Sequence, residues 1–262
     1  MPASASDFLP LWAYAVFFVT GLFAGFIDAM AGGGGIISLP VLLNFDMPVA
    51  MALGTNKLQA TFGSITASLR YVRGGAVQWE RCYAGIAATL VGAAIGTFAV
   101  AHVSNKLLEK AIPWFLVAIA TYTIVRPAMG RSDHPPRWPE TPYFLVAGLA
   151  LGFYDGLFGP GTGSFWTMAL VAGLGFNFTK ATGYTKVMNA TSNIVSLAIF
   201  AAAGKVAYLP GVAMGFGQLL GAHLGSHLVL RNGAKLVRPL FILMVLATVG
   251  RLLYLNFVAA TP

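Results

Sequence analysis

The feature that most constrains this sequence is a succession of apolar segments long enough to cross a lipid bilayer. A helix spans the roughly 30 Å hydrocarbon core in about 20 residues. Segments of suitable length lie near residues 11–30, 50–71, 82–102, 111–127, 143–158, 183–203, 208–229 and 237–258. They predict an all-α polytopic membrane protein, with the lipid bilayer as its surroundings.

The composition supports this prediction. Only 9% of the 262 residues are charged, whereas soluble domains carry about 25%, which excludes a disordered chain and an ordinary cytosolic enzyme. The net charge of +8 would suit nucleic acid, but the basic residues fall in short gaps between apolar segments, as in cytoplasmic loops. We expect no nucleic-acid partner. Because no Lys or Arg precedes Lys57, we read the first apolar segment as a spanning helix, not a signal peptide.

Glycine-rich breaks interrupt the apolar pattern twice. The first covers residues 32–35, which are four consecutive glycines, and the second covers 159–163, Gly-Pro-Gly-Thr-Gly. We expect broken or re-entrant helices at both places. A short apolar segment follows each break, at 36–45 and 161–176. Segments of this length either span the membrane or turn back within it, and the sequence leaves both readings open.

An internal duplication organises the chain. Residues 25–28, Gly-Phe-Ile-Asp, recur 127 positions later as Gly-Phe-Tyr-Asp, and residues 54–57 and 90–97 have counterparts 129 positions later. Matches that keep one order along the chain predict two homologous membrane repeats. We divide the chain into a first repeat at 1–127, a linker loop at 128–142 and a second repeat at 143–262.

The distribution of Lys and Arg predicts how the repeats are oriented. If each repeat crosses the membrane five times, one side carries Arg70, Arg73, Arg81, Arg126, Arg131, Arg137, Lys180, Arg231, Lys235 and Arg238. With four crossings the same residues would divide nearly evenly. Since Lys and Arg concentrate on the cytoplasmic side, we favour five crossings. An odd number makes the two repeats inverted, as in many secondary transporters.

Two aspartates occupy matching positions at the ends of apolar segments. A charge inside a bilayer costs about 2.5–3.5 kcal/mol on insertion scales, so Asp28 and Asp155 are expected to face a cavity or a partner. There they would orient the glycine breaks or carry a coupling proton. The alternative places both carboxylates at the membrane interface, where each caps the helix that follows its break.

The glycine breaks are candidate anion-binding sites. A helix N-terminus offers unpaired backbone N–H groups and a partial positive charge. The candidate donors are the backbone N–H groups of Gly32, Gly33, Gly34, Gly35, Gly161 and Gly163. The alternative is close helix packing, because glycine lets two backbones approach each other.

Lysines at matching positions begin two polar stripes. On helices, one face carries Lys57, Thr61, Ser64 and Ser68, and another carries Lys186, Asn189, Asn193 and Ser196. Such stripes are suited to line a wet path for an oxyanion. The alternative is snorkelling, in which the ammonium reaches back to the membrane interface. If Lys57 lies in a cavity, we expect Asp28 of the same repeat to neutralise it.

His223 and His227 stand four residues apart, a spacing found in metal-binding helices. No carboxylate or cysteine lies near them in the sequence, so we favour packing near an interface. The chain has no phosphate-binding Walker loop and no nucleophile elbow. We expect no metal, no cofactor and no enzymatic activity.

Two segments of the first repeat resemble the TauE/SafE family of sulfite exporters. They are residues 25–35, which include the four glycines, and residues 52–59, Ala-Leu-Gly-Thr-Asn-Lys-Leu-Gln. The resemblance spans nearly the whole chain, although the second repeat has Pro160 and Thr162 in place of glycines. It implies a multi-pass permease of the bacterial inner membrane for sulfite and other small sulfur-containing or organic anions.

These features together predict a secondary transporter that exports small anions such as sulfite, organosulfonates or carboxylates. The candidate side chains for the substrate site are those of Asn56, Lys57, Gln59, Thr185, Lys186 and Asn189. The lysines would supply positive charge and the others hydrogen bonds. The alternatives are a passive anion channel with the same lining and a membrane enzyme or assembly subunit acting on a lipid-linked substrate. Association into a homo-oligomer is compatible with the sequence.

We predict that both chain termini lie outside the cytoplasm and that residues 73–81 and 126–142 lie inside it, because basic loops are retained on the cytoplasmic side. Topology reporters fused after Pro262 should give an extracytoplasmic signal, and reporters inserted in 126–142 a cytoplasmic one. A cytoplasmic signal at Pro262 would contradict the arrangement with five crossings per repeat.

Overall fold

The computed structural model describes residues 9–102 and 132–232, and every regular element in these two ranges is helical. The helices are α1 (Leu11–Ala31), α2 (Gly34–Leu43), α3 (Val49–Arg73), α4 (Tyr83–Ala101), α5 (Glu140–Leu157), α6 (Thr162–Leu174), α7 (Phe178–Ala202) and α8 (Tyr208–Asn232), with a 3₁₀ turn at Trp79–Cys82. The predicted all-α class is confirmed for this part of the chain. The apolar segments predicted at 111–127 and 237–258 lie outside it.

Large apolar side chains are exposed on the outside of the helical bundle. Among the described helices, Leu11–Met30 and Trp79–Val100 are long and apolar enough to cross a membrane, although a core helix of a soluble protein can meet the same criterion. Large hydrophobic side chains also stay exposed on the outer helices, including Phe23, Phe98 and Leu224. Large apolar side chains exposed on several outer helices indicate contact with a membrane or with another protein.

Glycines bring two helix pairs into backbone contact. They form two ladders with four-residue spacing. The ladder on α8 faces α1 and consists of Gly217, Gly221 and Gly225. The ladder on α5 faces α4 and consists of Gly148, Gly152 and Gly156. A Cβ atom built on Gly221 would lie 2.0 Å from the carbonyl oxygen of Leu22. One built on Gly156 would lie 2.3 Å from the carbonyl oxygen of Ala93. Small residues at this spacing permit the close helix packing found in membranes.

Contacts along the helices establish that α1, α3 and α8 run in one direction. Gly21 of α1 lies against Met214 of α8, and Gly25, one turn later, lies against Gln218. Residues later in α3 likewise contact residues later in α8, so these two helices are also parallel. Because α1 and α3 are parallel, the intervening α2 must carry the chain back toward the start of α1.

A second set of helices, α4, α5 and α7, runs in the opposite direction. Residues later in α4 contact residues later in α5, and the same holds between α4 and α7, so the three helices are parallel. Between α3 and α7 the order reverses, because Ser64 meets Asn193 whereas Tyr71, later in α3, meets the earlier Gly183. The short helix α6 therefore returns the chain between α5 and α7, as α2 does between α1 and α3.

Non-helical backbone separates α1 from α2 and α5 from α6, as expected at the glycine breaks. Gly32 and Gly33 have φ values of 72° and 149°, and Gly159 and Gly161 have φ values of 89° and 81°. Glycine adopts these values readily because it has no Cβ atom. The short apolar segments after the breaks are α2 and α6.

We predict that Gly221→Leu destabilises the protein, because its side chain would meet the backbone of α1. Overpacking costs about 1–3 kcal/mol where neighbouring side chains can rearrange, and backbone can rearrange less. Leu220→Ala is the matched control, since Leu220 is exposed on the same helix. Thermal unfolding in detergent should show a clearly lower midpoint for Gly221→Leu, and equal midpoints for the two variants would contradict the close packing.

Candidate functional site

The two glycine breaks touch each other inside the bundle. A Cβ atom on Gly32 would lie 2.4 Å from the Cα atom of Gly163, so neither position has room for a side chain. The hydroxyl of Ser164 donates a 2.6 Å hydrogen bond to the carbonyl oxygen of Gly32. The N-terminal ends of α2 and α6 are thereby held next to each other.

Lys57 of α3 forms a buried ion pair with Asp155 at the end of α5. Its Nζ atom lies 2.7 Å from Oδ1 of Asp155 and 2.6 Å from the carbonyl oxygen of the same residue. The hydroxyl of Ser192, on α7, donates a hydrogen bond to Oδ2. Only 2% of the lysine side chain and 5% of the aspartate side chain are exposed. An ammonium so deeply buried requires both an opposite charge and hydrogen-bond acceptors, and Asp155 supplies both.

Lys186 of α7 forms a second ion pair, with Asp28 near the end of α1. Its Nζ atom lies 2.9 Å from Oδ2 of Asp28. Oδ1 of the same carboxylate accepts hydrogen bonds from the backbone N–H groups of Gly33, at 3.2 Å, and Gly34, at 3.4 Å. Asp28 therefore caps the positive end of α2. A carboxylate of the chain itself thus occupies two of the six backbone donors that the sequence suggested for an anion.

The pairing of charges corrects two expectations. Asp28 does not neutralise Lys57, because each lysine pairs with the aspartate of the other half of the chain. We call Lys57 with Asp155 and Lys186 with Asp28 the exchanged ion pairs. The contact between the two breaks explains the exchange, because it brings the end of α1 toward α7 and the end of α5 toward α3. The snorkelling alternative is also wrong, because both ammonium groups end on carboxylates in the interior.

The ion pairs open onto a small polar pocket of about 30 Å³. Of the residues expected at the site, the pocket is lined by Asp28, Gly33, Gly34, Gly35, Asn56, Lys57, Asp155, Gly161, Gly163 and Asn189. The sequence-based site is therefore gathered around one cavity with charges of both signs.

Four expected residues are not among those that line the pocket, namely Gly32, Gln59, Thr185 and Lys186. The amide nitrogen of Gln59 donates to Oδ1 of Asn56 at 2.8 Å and to the hydroxyl of Ser38 at 3.1 Å. The hydroxyl of Thr185 lies 3.1 Å from that of Thr167 on α6. Gln59 thus holds a lining residue in position, and Thr185 joins α7 to α6.

Four lining residues are missing from the expected set: Ala60, Gly159, Asn193 and Gln218. Asn193 belongs to the polar stripe on α7, and Gln218 is a buried amide in an apolar helix, a signal that sequence analysis could have used. The side-chain oxygens of Asn189 and Gln218 are buried and have no hydrogen-bond partner. Both atoms are hydrogen-bond acceptors, and leaving such an acceptor unpaired costs about 1–3 kcal/mol, so a hydrogen-bond donor such as water would gain by meeting them.

The two histidines lie elsewhere. His223 and His227 are exposed on the outer surface of α8, where they contact Arg70 of α3. Neither lines the pocket. In the ranges that the structure describes, no group of three or more His, Cys, Asp or Glu side chains is arranged to hold a metal ion.

A helical bundle with an apolar outer surface and a charged site where two broken helices meet is the arrangement of membrane transporters. Comparison with known proteins identifies the family. Residues 17–252 match the family described as Sulfite exporter TauE/SafE, and the chain belongs to that family. The resemblance carried by the glycine and lysine motifs is thereby confirmed.

Curated relatives carry transporter names. The chain is 43% identical over 245 residues to Probable membrane transporter protein YfcA of Escherichia coli K12. The matched region covers 94% of this chain and 91% of the relative. The chain is 41% identical over 240 residues to a Probable membrane transporter protein of Haemophilus influenzae, covering 92% and 94%. It is 40% identical over 239 residues to Probable membrane transporter protein ORF9 of Sinorhizobium sp, covering 91% and 92%. No solved structure matches the chain. These names indicate a membrane transporter and not an enzyme.

We predict that a double-mutant cycle detects the exchanged ion pairs. Lys57→Met leaves Asp155 buried without its cation, which should lower the free energy of unfolding by about 3–5 kcal/mol. Adding Asp155→Asn should recover much of that loss, because the unpaired charge is then gone. Unfolding of the purified variants in detergent measures the coupling.

Asp28→Asn is the matched control for this cycle. Combined with Lys57→Met, it removes the partner of Lys186 and should add a second loss of stability. Rescue of Lys57→Met by Asp28→Asn, without rescue by Asp155→Asn, would show that the assigned pairing is wrong.

Proposed function

We propose that this chain is a secondary transporter that exports small anions across the bacterial inner membrane, with the pocket between the glycine breaks as the substrate site. One observation carries the proposal: Lys57, Asp28 and Asp155 line a single cavity, and each aspartate neutralises a buried lysine from the other half of the chain. Oxyanions such as sulfite, organosulfonates and carboxylates are the substrate class that such cations attract.

The charge balance of the site favours coupled transport. Two lysines and two aspartates form the ion pairs, so their charges sum to zero. A bound monoanion would leave one unbalanced negative charge in a poorly polarisable interior, which is strongly unfavourable. Protonation of one aspartate removes that charge, and a nearby anion raises the carboxyl's affinity for the proton. We therefore expect anion and proton to bind together, with Asp28 or Asp155 as the proton acceptor, so that export is driven by the outward gradient of the anion itself.

Lys57 is the proposed first contact for the substrate. Its side chain lines the pocket together with the amides of Asn56, Asn189 and Asn193. When Asp155 takes up a proton, the ammonium loses its counter-charge and attracts an anion. The amide groups then donate hydrogen bonds to the oxygens of the anion, as neutral polar groups do in other small-ligand sites.

Alternating access requires the two broken helices to move relative to each other. The breaks meet through the backbones of Gly32 and Gly163 and through the hydroxyl of Ser164. We propose that these contacts separate when substrate enters, so that α2 and α6 move apart and open the pocket to one side.

Helix directions support two inverted repeats with both termini outside. By the sequence duplication, α1, α3 and α4 correspond to α5, α7 and α8, and the members of each pair run in opposite directions. Five crossings per repeat require α1 and α3 to be parallel, as they are, whereas four crossings would make them antiparallel. The end of the bundle that carries Arg70, Arg73 and Arg231 is then the cytoplasmic end.

Flux measurements in liposomes test the proposal. Purified protein reconstituted into sulfite-loaded liposomes should release sulfite faster when the lumen is made more acidic than the outside, because proton and anion leave together. An imposed membrane potential should have little effect. Lys57→Met should reduce flux by at least about tenfold, the consequence of losing roughly 1.5–3 kcal/mol of charge-assisted bonding. Arg73→Gln, which changes an exposed basic residue, is the control and should retain flux.

Two outcomes would contradict the proposal. Flux that follows the membrane potential, ignores the pH gradient and greatly exceeds the turnover of a carrier would identify a passive channel. Unchanged flux in Lys57→Met would remove Lys57 from the substrate site.

A further inference from the structure

A group of basic side chains lies on the outer surface, toward the C-terminal ends of α3 and α8. The guanidinium of Arg70 reaches from α3 to two histidines of α8. Its Nη1 atom lies 3.1 Å from Nδ1 and 3.0 Å from Nε2 of His223, and its Nη2 atom lies 3.2 Å from Nδ1 of His227. We call these three residues the outer basic cluster.

The positive charge of this cluster has no carboxylate partner in residues 9–102 and 132–232. The ion pairs in those ranges join Lys57 to Asp155, Lys186 to Asp28 and Arg81 to Glu140. The chain has only 8 acidic residues in all. In addition, Nε of Arg70 is buried without a hydrogen-bond partner. A guanidinium carries five N–H donors, and imidazole nitrogens cannot neutralise its charge, so the cluster is suited to bind an anion.

The surroundings of the cluster are apolar. On α8 the exposed side chains of Phe216, Leu220 and Leu224 follow one another at four-residue spacing, and His223 and His227 continue that face toward the helix end. On α3 the exposed Ile65 and Leu69 lie just before Arg70. Apolar helix surface that gives way to basic side chains at its end marks the boundary between hydrocarbon and headgroups.

Packing of the fold does not require the cluster. At the 129-residue offset of the internal duplication, its three positions correspond to Ile199, Ala94 and Phe98. The helices α7 and α4, which carry those residues, pack in parallel just as α3 and α8 do. None of the three equivalent positions is basic, so this cluster occurs on only one of the two equivalent surfaces, at the same end of the bundle as Arg73 and Arg231.

We propose that the outer basic cluster binds the phosphodiester headgroup of an anionic phospholipid in the leaflet on that side of the membrane. Arg70 donates parallel N–H groups to the phosphate oxygens, the geometry that guanidinium and phosphate favour. His223 and His227 add ring N–H donors, and the acyl chains lie along the exposed apolar faces of α3 and α8. Basic pockets between membrane helices on the cytoplasmic side bind such headgroups in other proteins.

Lipid titration of the purified protein, followed by native mass spectrometry, tests this site. Phosphatidylglycerol should bind in preference to phosphatidylcholine with the same acyl chains. Arg70→Gln should weaken phosphatidylglycerol binding by about tenfold. The double variant His223→Ala with His227→Ala changes only exposed side chains and should weaken it severalfold. Arg73→Gln, on the same helix, is the matched control and should bind like the parent.

A second measurement separates a lipid from a soluble phosphate. Phosphatidylglycerol should raise the thermal unfolding midpoint of the parent and of Arg73→Gln more than that of Arg70→Gln, whereas inorganic phosphate should raise none of them. Equal phosphatidylglycerol binding by Arg70→Gln, the double histidine variant and the parent would overturn the site. Equal stabilisation by inorganic phosphate would overturn the assignment to a lipid. Neither result depends on transport activity.

Discussion

The ammonium groups of Lys57 and Lys186 lie inside an apolar bundle, and each is neutralised by a carboxylate from the other half of the chain. Removing one partner of a buried ion pair costs about 3–5 kcal/mol, because the remaining charge is left without compensation. The ends of α1 and α5 must therefore stay beside α7 and α3. The exchanged ion pairs join the two halves into one site, so that neither half has a complete site by itself.

Glycine makes this arrangement sterically possible. The breaks meet backbone to backbone at Gly32 and Gly163, which places both aspartates near the centre. The glycine ladders on α8 and α5 let α1 and α4 pack at backbone distance. The same residue type therefore has two roles here, as non-helical backbone at the site and as a packing surface between continuous helices.

The two ion pairs are not equivalent, although they occupy matching positions in the sequence. Asp28 caps α2 through the N–H groups of Gly33 and Gly34, whereas Asp155 is held by Lys57 and by the hydroxyl of Ser192. The same substitution at the two aspartates would therefore remove different contacts, a helix cap at Asp28 and a hydroxyl donor at Asp155.

The sequence by itself determined the helical class, the positions of the breaks and most of the residues that line the pocket. Composition and glycine runs act locally, because they set how each segment behaves in lipid and whether its backbone can be helical. The tertiary structure decided which lysine meets which aspartate, that Gln59 and Thr185 lie outside the pocket lining, and that Arg70 lies beside His223 and His227. Those contacts join segments up to 158 residues apart. Similarity between repeats predicts equivalent positions but not partners, because partners depend on how the helices pack against each other.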